Sequence, residues 1–335
     1  MLRYRSINEY VPVDIDKLRP KDSYKKLLEK RTHPIDALIQ DYGAIPENLL
    51  QERACPTCGS TESGKELEKD HLTLVRCSTC ALVYVNPIFD EEHYYESYGS
   101  REYQRIVRDL GEASHDYRVR RFGSERIDAM AGYLTDFSES PVAYLDVGCS
   151  TGFVVEAARE RGWQACGIDL NPSAVEFGCK RGLDLRTVAL DEGEFVPGSF
   201  DAISLFDVLE HLVRPAATVE RCFELLRPGG ILYLYVPNYD SSSRLLMGKD
   251  AHFIWPTHHL NYYTPTTLGK FLERHGLSIE LVQTEGLDFV DYIWQRKELH
   301  QEDMGVLERI ADTLQFFANA GGYGKNLRIL ARRPV

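Results

Sequence analysis

The sequence predicts an α/β fold, a sheet of seven strands with helices on both faces, with a small cysteine-ligated module ahead of it. A glycine-rich loop at 148–152 follows an apolar strand, and an acid, Asp169, ends the next apolar run. Two Cys-x-x-Cys pairs stand at 55–58 and 77–80. A chain of 335 residues exceeds the usual size of one domain, so at least two modules are expected.

The first strand of the sheet is the apolar run 142–147, which is typical of a buried parallel strand. It leads into the pattern Asp-x-Gly-x-Ser-x-Gly, in which Gly148 and Gly152 let the backbone turn tightly and approach a ligand closely. The apolar periodicity that follows predicts a helix over 153–161. Strand, loop and helix together indicate a nucleoside-cofactor site.

The second strand is predicted over 164–168 and ends at Asp169, where a carboxylate can accept hydrogen bonds from both hydroxyls of a ribose. A dinucleotide site has the same geometry, with its pyrophosphate held at the helix N-terminus. Here Asp146 would repel that second anion and favour a cationic ligand. S-adenosylmethionine fits, because it carries an ammonium and a sulfonium and no phosphate.

At this point the chain resembles the class I S-adenosylmethionine-dependent methyltransferases, whose sheet is Rossmann-like. Residues 198–204 look like their fourth strand, 207–212 like the segment after it, and 226–232 like the turn into the fifth strand. The resemblance covers roughly residues 120 to 285 and the last strand. It implies a set of cofactor contacts at Asp146, Gly148, Gly152, Asp169, Leu170 and, after the third strand, Leu190 and Asp191.

The other elements follow from apolar runs and turn residues. Strands are predicted near 142–147, 164–168, 184–189, 201–206, 231–236, 278–284 and 326–332. Pro228-Gly229-Gly230 is predicted to be a turn. A helical insert over 289–318 separates the last two strands and is expected to cover the substrate side or to mediate assembly into a homo-oligomer. Four cysteines in apolar surroundings are predicted to be small core residues, namely Cys149, Cys166, Cys179 and Cys222.

The two Cys-x-x-Cys pairs predict a structural zinc site. Cys55, Cys58, Cys77 and Cys80 have the spacing of a tetrahedral thiolate shell, and four sulfur ligands leave no open position for catalysis. Apolar strand candidates at 72–75 and 81–85 complete the pattern of a zinc-ribbon hairpin. Disulfides are the alternative, disfavoured because the predicted compartment is reducing.

The run 76–87 resembles the end of the ribbon in bacterial methyltransferases of sugar, glycan and secondary-metabolite pathways, including deoxysugar C-methyltransferases. The expected modules are a helical lead-in over 1–53, the zinc ribbon over 54–88, a helical linker over 89–135, and a methyltransferase domain over 136–335 with its helical insert at 286–322. Helices are predicted at 22–30 and 35–42 in the lead-in. The linker begins with tyrosines that either pack between the modules or form a lid over the cofactor, Tyr94, Tyr95, Tyr98 and Tyr103.

The amino-acid composition indicates which classes of substrate the protein is expected to bind. A net charge of −12 and a pI near 5.4 disfavour a nucleic-acid substrate, because backbone phosphates must be neutralised by clustered Lys and Arg. A local basic patch at 118–126 is nevertheless compatible with binding of a nucleic acid. No apolar run reaches membrane-spanning length and no secretory segment follows Met1, so a cytoplasmic protein is expected.

Methyl transfer needs an aligned acceptor and, for an oxygen or carbon acceptor, removal of a proton. His211 and His259 follow the fourth and fifth strands and are predicted to serve as the general base or to orient the acceptor. The deoxysugar C-methyltransferases carry Tyr-x-Glu-His-Leu in the second region, where this chain has Pro256 and His258 at the first two polar positions. That departure disfavours C-methylation and leaves O- or N-methylation open.

No catalytic metal is predicted, because the adjacent side chains of Glu210 and His211 are expected to point away from each other. The predicted function is methyl transfer to a small-molecule acceptor, a sugar, glycan precursor or related metabolite. A zinc-ribbon RNA methyltransferase is the alternative, and it would require a basic groove and aromatic stacking platforms. A catalytically silent binding module is disfavoured by the intact loop and strand-end acids.

Overall fold

The computed structural model describes residues 10–19, 33–98, 100–134 and 141–335. The predicted helix at 22–30 lies outside these residues. The strands are β1 (Leu50–Gln51), β2 (Ser63–Lys69), β3 (Leu72–Cys77), β4 (Val83–Val85), β5 (Ile88–Phe89), β6 (Ala143–Val147), β7 (Gln164–Asp169), β8 (Asp184–Thr187), β9 (Phe200–Phe206), β10 (Leu226–Pro237), β11 (Asn261–Tyr262), β12 (Ser278–Glu285) and β13 (Asn326–Arg332).

The helices are α1 (Ile15–Leu18), α2 (His33–Tyr42), α3 (Glu91–Tyr98), α4 (Arg101–Arg118), α5 (Ser124–Ala131), α6 (Phe153–Glu160), α7 (Pro172–Lys180), α8 (Pro215–Leu225), α9 (Ser242–Met247), α10 (Pro265–Arg274), α11 (Asp288–His300), α12 (Gly305–Glu308) and α13 (Ala311–Ala320). A π-helical stretch at 119–123 joins α4 to α5. Among these helices, all within the described residues, none is long and apolar enough to cross a bilayer.

Seven strands form the central sheet in the order β12-β13-β10-β9-β6-β7-β8, which confirms the predicted fold class and all seven strand positions. Neighbours from β8 to β10 are parallel, and β13 runs antiparallel to both β10 and β12. Alternate side chains fill opposite faces of the sheet. Leu145 and Ile203 pack in a core with α8 and α10, whereas Tyr144 and Ala202 pack in a second core with α5 and α6.

The sheet that contains the cysteine-bearing hairpin also includes a strand from the second half of the chain. Strands β2, β3 and β4 form an antiparallel sheet, and the fourth strand is β11, which lies far along the chain after the fifth strand of the main sheet. The Arg53 guanidinium strengthens this junction by donating to the carbonyls of Val85 and Leu260 over 3.1 and 2.8 Å. The junction therefore fixes residues 258–262, which carry part of the candidate site.

Two predictions about local structure are wrong. The Pro228-Gly229-Gly230 segment is not a separate turn but lies inside β10, as an irregularity where the register with β9 shifts between Leu226 and Ile231. The left-handed φ of Gly229, 81°, allows the strand to bend there without ending. Cys179 is exposed rather than part of the core, because it lies on the outer face of α7.

Candidate active site

The predicted site residues lie at one edge of the central sheet. Strands β6 to β10 are parallel, so their carboxyl ends meet at that edge. The glycine loop follows β6, Asp169 ends β7, and Asp191 follows β8 on an exposed loop. His211 follows β9, and His259 lies in the long connection after β10. Ligands bind outside the carboxyl ends of strands in open α/β sheets, so this edge is the candidate active site.

Backbone hydrogen bonds connect the glycine loop to β7. The amides of Gly148 and Cys149 both donate to the carbonyl of Ile168, over 2.8 and 3.0 Å. Gly148 has φ 74°, and a Cβ atom there would lie 2.3 Å from a methyl group of Val208. Only glycine can follow this path, which brings bare backbone to the carboxyl edge of the sheet.

Asp169 is held by two backbone amides. Ser150 N–H donates to one carboxylate oxygen over 2.7 Å, and Asn171 N–H donates to the other over 2.8 Å. Burial raises the pKa of Asp169, whereas these amide hydrogen bonds lower it. Each oxygen keeps a further lone pair, as acceptors for the two hydroxyls of a ribose require. Beside it, the Leu170 side chain is 48% exposed, which gives an apolar surface at this edge.

Asp146 lies beneath the loop, with 2% of its surface exposed. Ser204 Oγ donates to its Oδ1 over 2.6 Å. Burial raises the pKa of Asp146 to about 7, although the Ser204 hydrogen bond and the charge of Arg126 lower it. A bound cation would favour the ionised form, so this carboxyl is suited to a positively charged ligand.

Helix α4 forms a wall over the loop. His115 Nδ1 lies 2.9 Å from Thr151 Oγ1, and its Nε2 lies 2.8 Å from Glu156 Oε2. The Asn171 side chain donates to the carbonyl of Gln104, also on α4, over 3.0 Å. The linker therefore contacts the glycine loop and the residues that follow β7 directly. Of the four linker tyrosines, only the side chain of Tyr94 is among the described ones.

Two arginines in the predicted basic patch pack beside the glycine loop, a placement that the sequence did not indicate. Arg126 is 5% exposed, and its guanidinium lies 4.2 Å from the ring centroid of Phe206 and 4.7 Å from that of Tyr235. Arg118 lies 5.8 Å from the ring of Phe153. Within the described residues, no carboxylate forms an ion pair with either guanidinium. Their interval of eight residues, which favours one helix face, is the signal that could have identified them.

Beyond the carboxyl ends of β9 and β10, the structure brings Glu210, His211 and His259 together, with one ligand atom of each within 4.8 Å of the others. The expectation that Glu210 and His211 point away from each other is wrong. Residues 209–211 form a turn of 3₁₀ helix rather than α-helix, and Glu210 Oε1 lies 4.0 Å from His211 Nε2. Burial lowers the pKa of His211 to about 4, so its imidazole is neutral at pH 7.

The four cysteines of the two pairs also converge. Cys55 Sγ lies 3.5 Å from Cys80 Sγ, and Cys58 Sγ lies 3.5 Å from Cys77 Sγ. Four sulfurs around zinc at about 2.3 Å are separated by about 3.8 Å, close to this spacing and far beyond a disulfide bond. All four are free thiols in the structure, which excludes the disulfide alternative there.

A protein-family profile described as a methyltransferase domain matches residues 115–282, half of the chain. Among curated relatives, the ubiquinone biosynthesis O-methyltransferase of Chromobacterium violaceum is 29% identical over 163 residues, which cover 45% of this chain and 70% of the relative. The enzyme of the same name from Xanthomonas euvesicatoria is 32% identical over 149 residues, 41% of this chain. The chain spans 62% of that enzyme's length, less than two thirds.

Two solved structures are similar in fold. A SAM-dependent methyltransferase from Archaeoglobus fulgidus gives a TM-score of 0.46 at 19% identity, covering 72% of this chain and 100% of that one. The Burkholderia thailandensis 1,6-didemethyltoxoflavin-N1-methyltransferase gives a TM-score of 0.49 at 15% identity, covering 81% of this chain and 99% of that one.

Proposed function

The chain belongs to the methyltransferase domain family and is an S-adenosylmethionine-dependent methyltransferase, and from that premise we propose that it methylates a hydroxyl of a small-molecule acceptor. The observation that carries the proposal is the glycine loop between β6 and α6, with a strand-end acid on β7 beside it. The acceptor is a sugar, a glycan precursor or a related metabolite. A net charge of −12 supports a small molecule over a polyanion.

Oxygen is the proposed methyl acceptor for two reasons. The curated relatives are named as O-methyltransferases. The Pro256 and His258 positions lack the tyrosine and glutamate that help the deoxysugar enzymes to form a carbanion beside a ketone. An oxygen nucleophile needs less activation than carbon, so one base or one orienting group suffices for it.

The cofactor is proposed to bind along the edge formed by β6, β7 and β8. Asp169 accepts from the ribose hydroxyls, Leu170 packs on the adenine, and Asp191 accepts from the adenine amino group. Gly148 and Gly152 let the backbone approach the methionine part closely.

The methionine end carries two charges, and the proposal gives each a partner. Asp146 attracts the ammonium, and Arg118 and Arg126 hold the carboxylate. These guanidiniums flank Phe153, the first residue of the helix after the loop, and no carboxylate of the described residues lies within ion-pair distance of them, so the carboxylate of the ligand would supply that partner.

Replacing Asp169 by alanine is expected to weaken S-adenosylmethionine binding at least about tenfold, because a hydrogen bond to a charged acceptor is worth about 1.5 to 3 kcal/mol. Calorimetric titration measures this directly. The matched control is Asp184→Ala, an exposed acid at the start of β8 away from the carboxyl edge. Unchanged affinity in a folded Asp169→Ala protein would contradict the assignment.

The pH dependence of binding tests Asp146. Its pKa of about 7 means that the carboxyl becomes neutral as the pH falls below 7, and the neutral form attracts an ammonium weakly. Affinity for S-adenosylmethionine should therefore decrease from pH 7 to pH 5.5, by up to about tenfold per unit. Asp146→Asn should remove this dependence. A wild-type affinity that stays constant over that pH interval would contradict the role proposed for Asp146.

Cys55, Cys58, Cys77 and Cys80 are proposed to hold one structural zinc ion in a ribbon over residues 54–88. The other proposed modules are the lead-in 1–53, the linker 89–135, which serves as a lid over the cofactor, and the catalytic domain 136–335 with its insert 286–322. The lid role is supported by the contacts of α4 with Thr151 and Asn171.

His259 and His211 are proposed to deprotonate or orient the acceptor hydroxyl. Their rings lie 4.7 Å apart, centroid to centroid, at an angle of 83°, so both reach the same small volume. The sugar-type acceptor would enter between this pair and the cofactor methyl group.

A further inference from the structure

The acceptor end of the site contains a cluster with the composition of a metal centre. Glu210, His211 and His259 each bring one ligand atom to within 4.8 Å of the other two. One carboxylate and two imidazoles form a common ligand set for zinc and for non-haem iron, and three protein ligands leave a position open for a water or a substrate. The cysteine cluster, with four thiolates, leaves no such position.

A role of the two histidines as general base does not explain why the Glu210 carboxylate is buried beside them. Its side chain is 1% exposed, and neither carboxylate oxygen has a hydrogen-bond partner in the described part of the chain. Burying a carboxylate without a partner costs several kcal/mol, and such groups are ordinarily paired or bound to a metal. The nitrogen Nε2 of His211 lies 4.0 Å from Glu210 Oε1, too far for a hydrogen bond. A divalent ion would give this carboxylate the partner that it lacks.

The histidines are oriented as metal ligands are. Nδ1 of His211 donates to the carbonyl of His258 over 2.9 Å, and Nδ1 of His259 donates to the carbonyl of Phe253 over 2.8 Å. Metal-bound histidines almost always donate their other ring N–H to a carbonyl or carboxylate, which fixes the tautomer. Both rings therefore offer Nε2 as the lone-pair nitrogen, and the Nε2 of His211 faces Glu210.

The backbone holds the two segments of the cluster in fixed register. The Tyr94 hydroxyl lies 2.7 Å from the carbonyl of His211 and 3.0 Å from that of His258. The amide of Leu260 donates to the carbonyl of Glu210 over 2.7 Å. The Asn261 side chain donates to the carbonyls of Leu209, over 3.2 Å, and Leu212, over 2.8 Å, at the start of the turn and just after it. Such support reduces the entropy lost when three side chains close on one ion.

We propose that Glu210, His211 and His259 bind a divalent transition metal, Zn²⁺ being the ion that this ligand set suits best, and that its open position receives the acceptor hydroxyl. Ligand atoms bound at about 2.0 to 2.2 Å are separated by about 3.5 Å, so small side-chain rotations close the cluster from its present spacing. The role in catalysis rests on the proposed function, but the ion site itself does not.

In this proposal the two histidines hold the ion that activates the acceptor hydroxyl. Coordination lowers the pKa of the acceptor hydroxyl, whose proton passes to water. The oxygen then attacks the methyl carbon, the O–C bond forms as the S–C bond breaks, and S-adenosylhomocysteine leaves with the electron pair on sulfur. A substrate with two neighbouring oxygens, such as a vicinal diol, would chelate the ion most tightly.

The test counts zinc ions. The full-length protein is dialysed to equilibrium against excess Zn²⁺, and bound metal is measured by elemental analysis. Wild type is expected to hold one more ion per chain than Glu210→Gln and His259→Gln, whose second site should bind at least about 100-fold more weakly. The matched controls Glu298→Gln and His300→Ala change exposed residues of α11 and should retain the wild-type content.

Equal zinc content in wild type and in both folded variants would overturn the proposal, and His259→Gln decides the result if Glu210→Gln fails to fold. Calorimetry of S-adenosylmethionine binding on the same samples separates this result from the proposed function. Loss of the extra ion with normal cofactor binding is the expected result. If the variants lose turnover with no change in bound metal, the histidines act as bases and the metal site is refuted.

Discussion

Replacing Cys77 by serine is expected to abolish binding of the proposed structural zinc ion and to lower the melting temperature by about 10 °C. Loss of a structural metal belongs to the changes that cost about 4 kcal/mol or more, and each kcal/mol shifts the melting temperature by about 2 to 4 °C in a domain of this size. Elemental analysis and differential scanning calorimetry measure both effects.

The expected loss is large because the cysteine cluster is part of the main core. Cys55 and Cys77 are each 2% exposed and belong to the same apolar cluster as Leu205 and Phe271 of the catalytic half. Without the ion, buried thiols must repack or be solvated. Cys179→Ser, on the exposed face of α7, is the matched control and should leave stability and metal content as they are. A Cys77→Ser protein with full zinc content or wild-type stability would contradict the ribbon assignment.

Replacing His259 by alanine is expected to lower turnover by about 10²- to 10⁴-fold, the usual contribution of general acid–base assistance. Loss of an ion that activates the acceptor hydroxyl would give an effect of at least that size. Cofactor affinity should stay nearly unchanged, because the proposed cofactor residues lie on or after β6, β7 and β8, whereas this histidine lies after β10.

Single-turnover measurements at saturating S-adenosylmethionine separate the methyl-transfer step from binding. His300→Ala, at the exposed end of α11, is the control for loss of an imidazole and should react at the wild-type rate. If the His259 variant turns over within about threefold of wild type, this histidine is part of the scaffold. Orientation by the other groups would then account for the rate.

The sequence predicted the elements whose signal is local. Buried parallel strands are continuous apolar runs, so β6, β7 and β9 could be identified with their ends nearly correct. The glycine loop combines left-handed backbone with close approach, and only glycine satisfies both. The convergence of the four cysteines could be predicted in the same way, because the spacing within each Cys-x-x-Cys pair is set by a single turn.

Features that depend on distant segments were not predictable in this way. The ribbon sheet takes its fourth strand from residues 261–262, a pair too short to give a periodic signal. Glu210 meets His259 because a 3₁₀ turn replaces the expected α-helix, and that choice depends on bonds from Leu260 and Asn261. The sequence predicts that Arg126 is a charged surface residue, but in the structure three aromatic rings surround its guanidinium.

Transfer of labelled methyl groups from S-adenosylmethionine tests the central claim most directly. Purified full-length protein, loaded with Zn²⁺, is incubated with the labelled cofactor and either a small-metabolite fraction containing sugars and nucleotide sugars or total RNA. The account predicts label in a small molecule, attached through an ether oxygen, and none in RNA above the level of an Asp169→Ala control. Labelled RNA together with an unlabelled metabolite fraction would contradict the account.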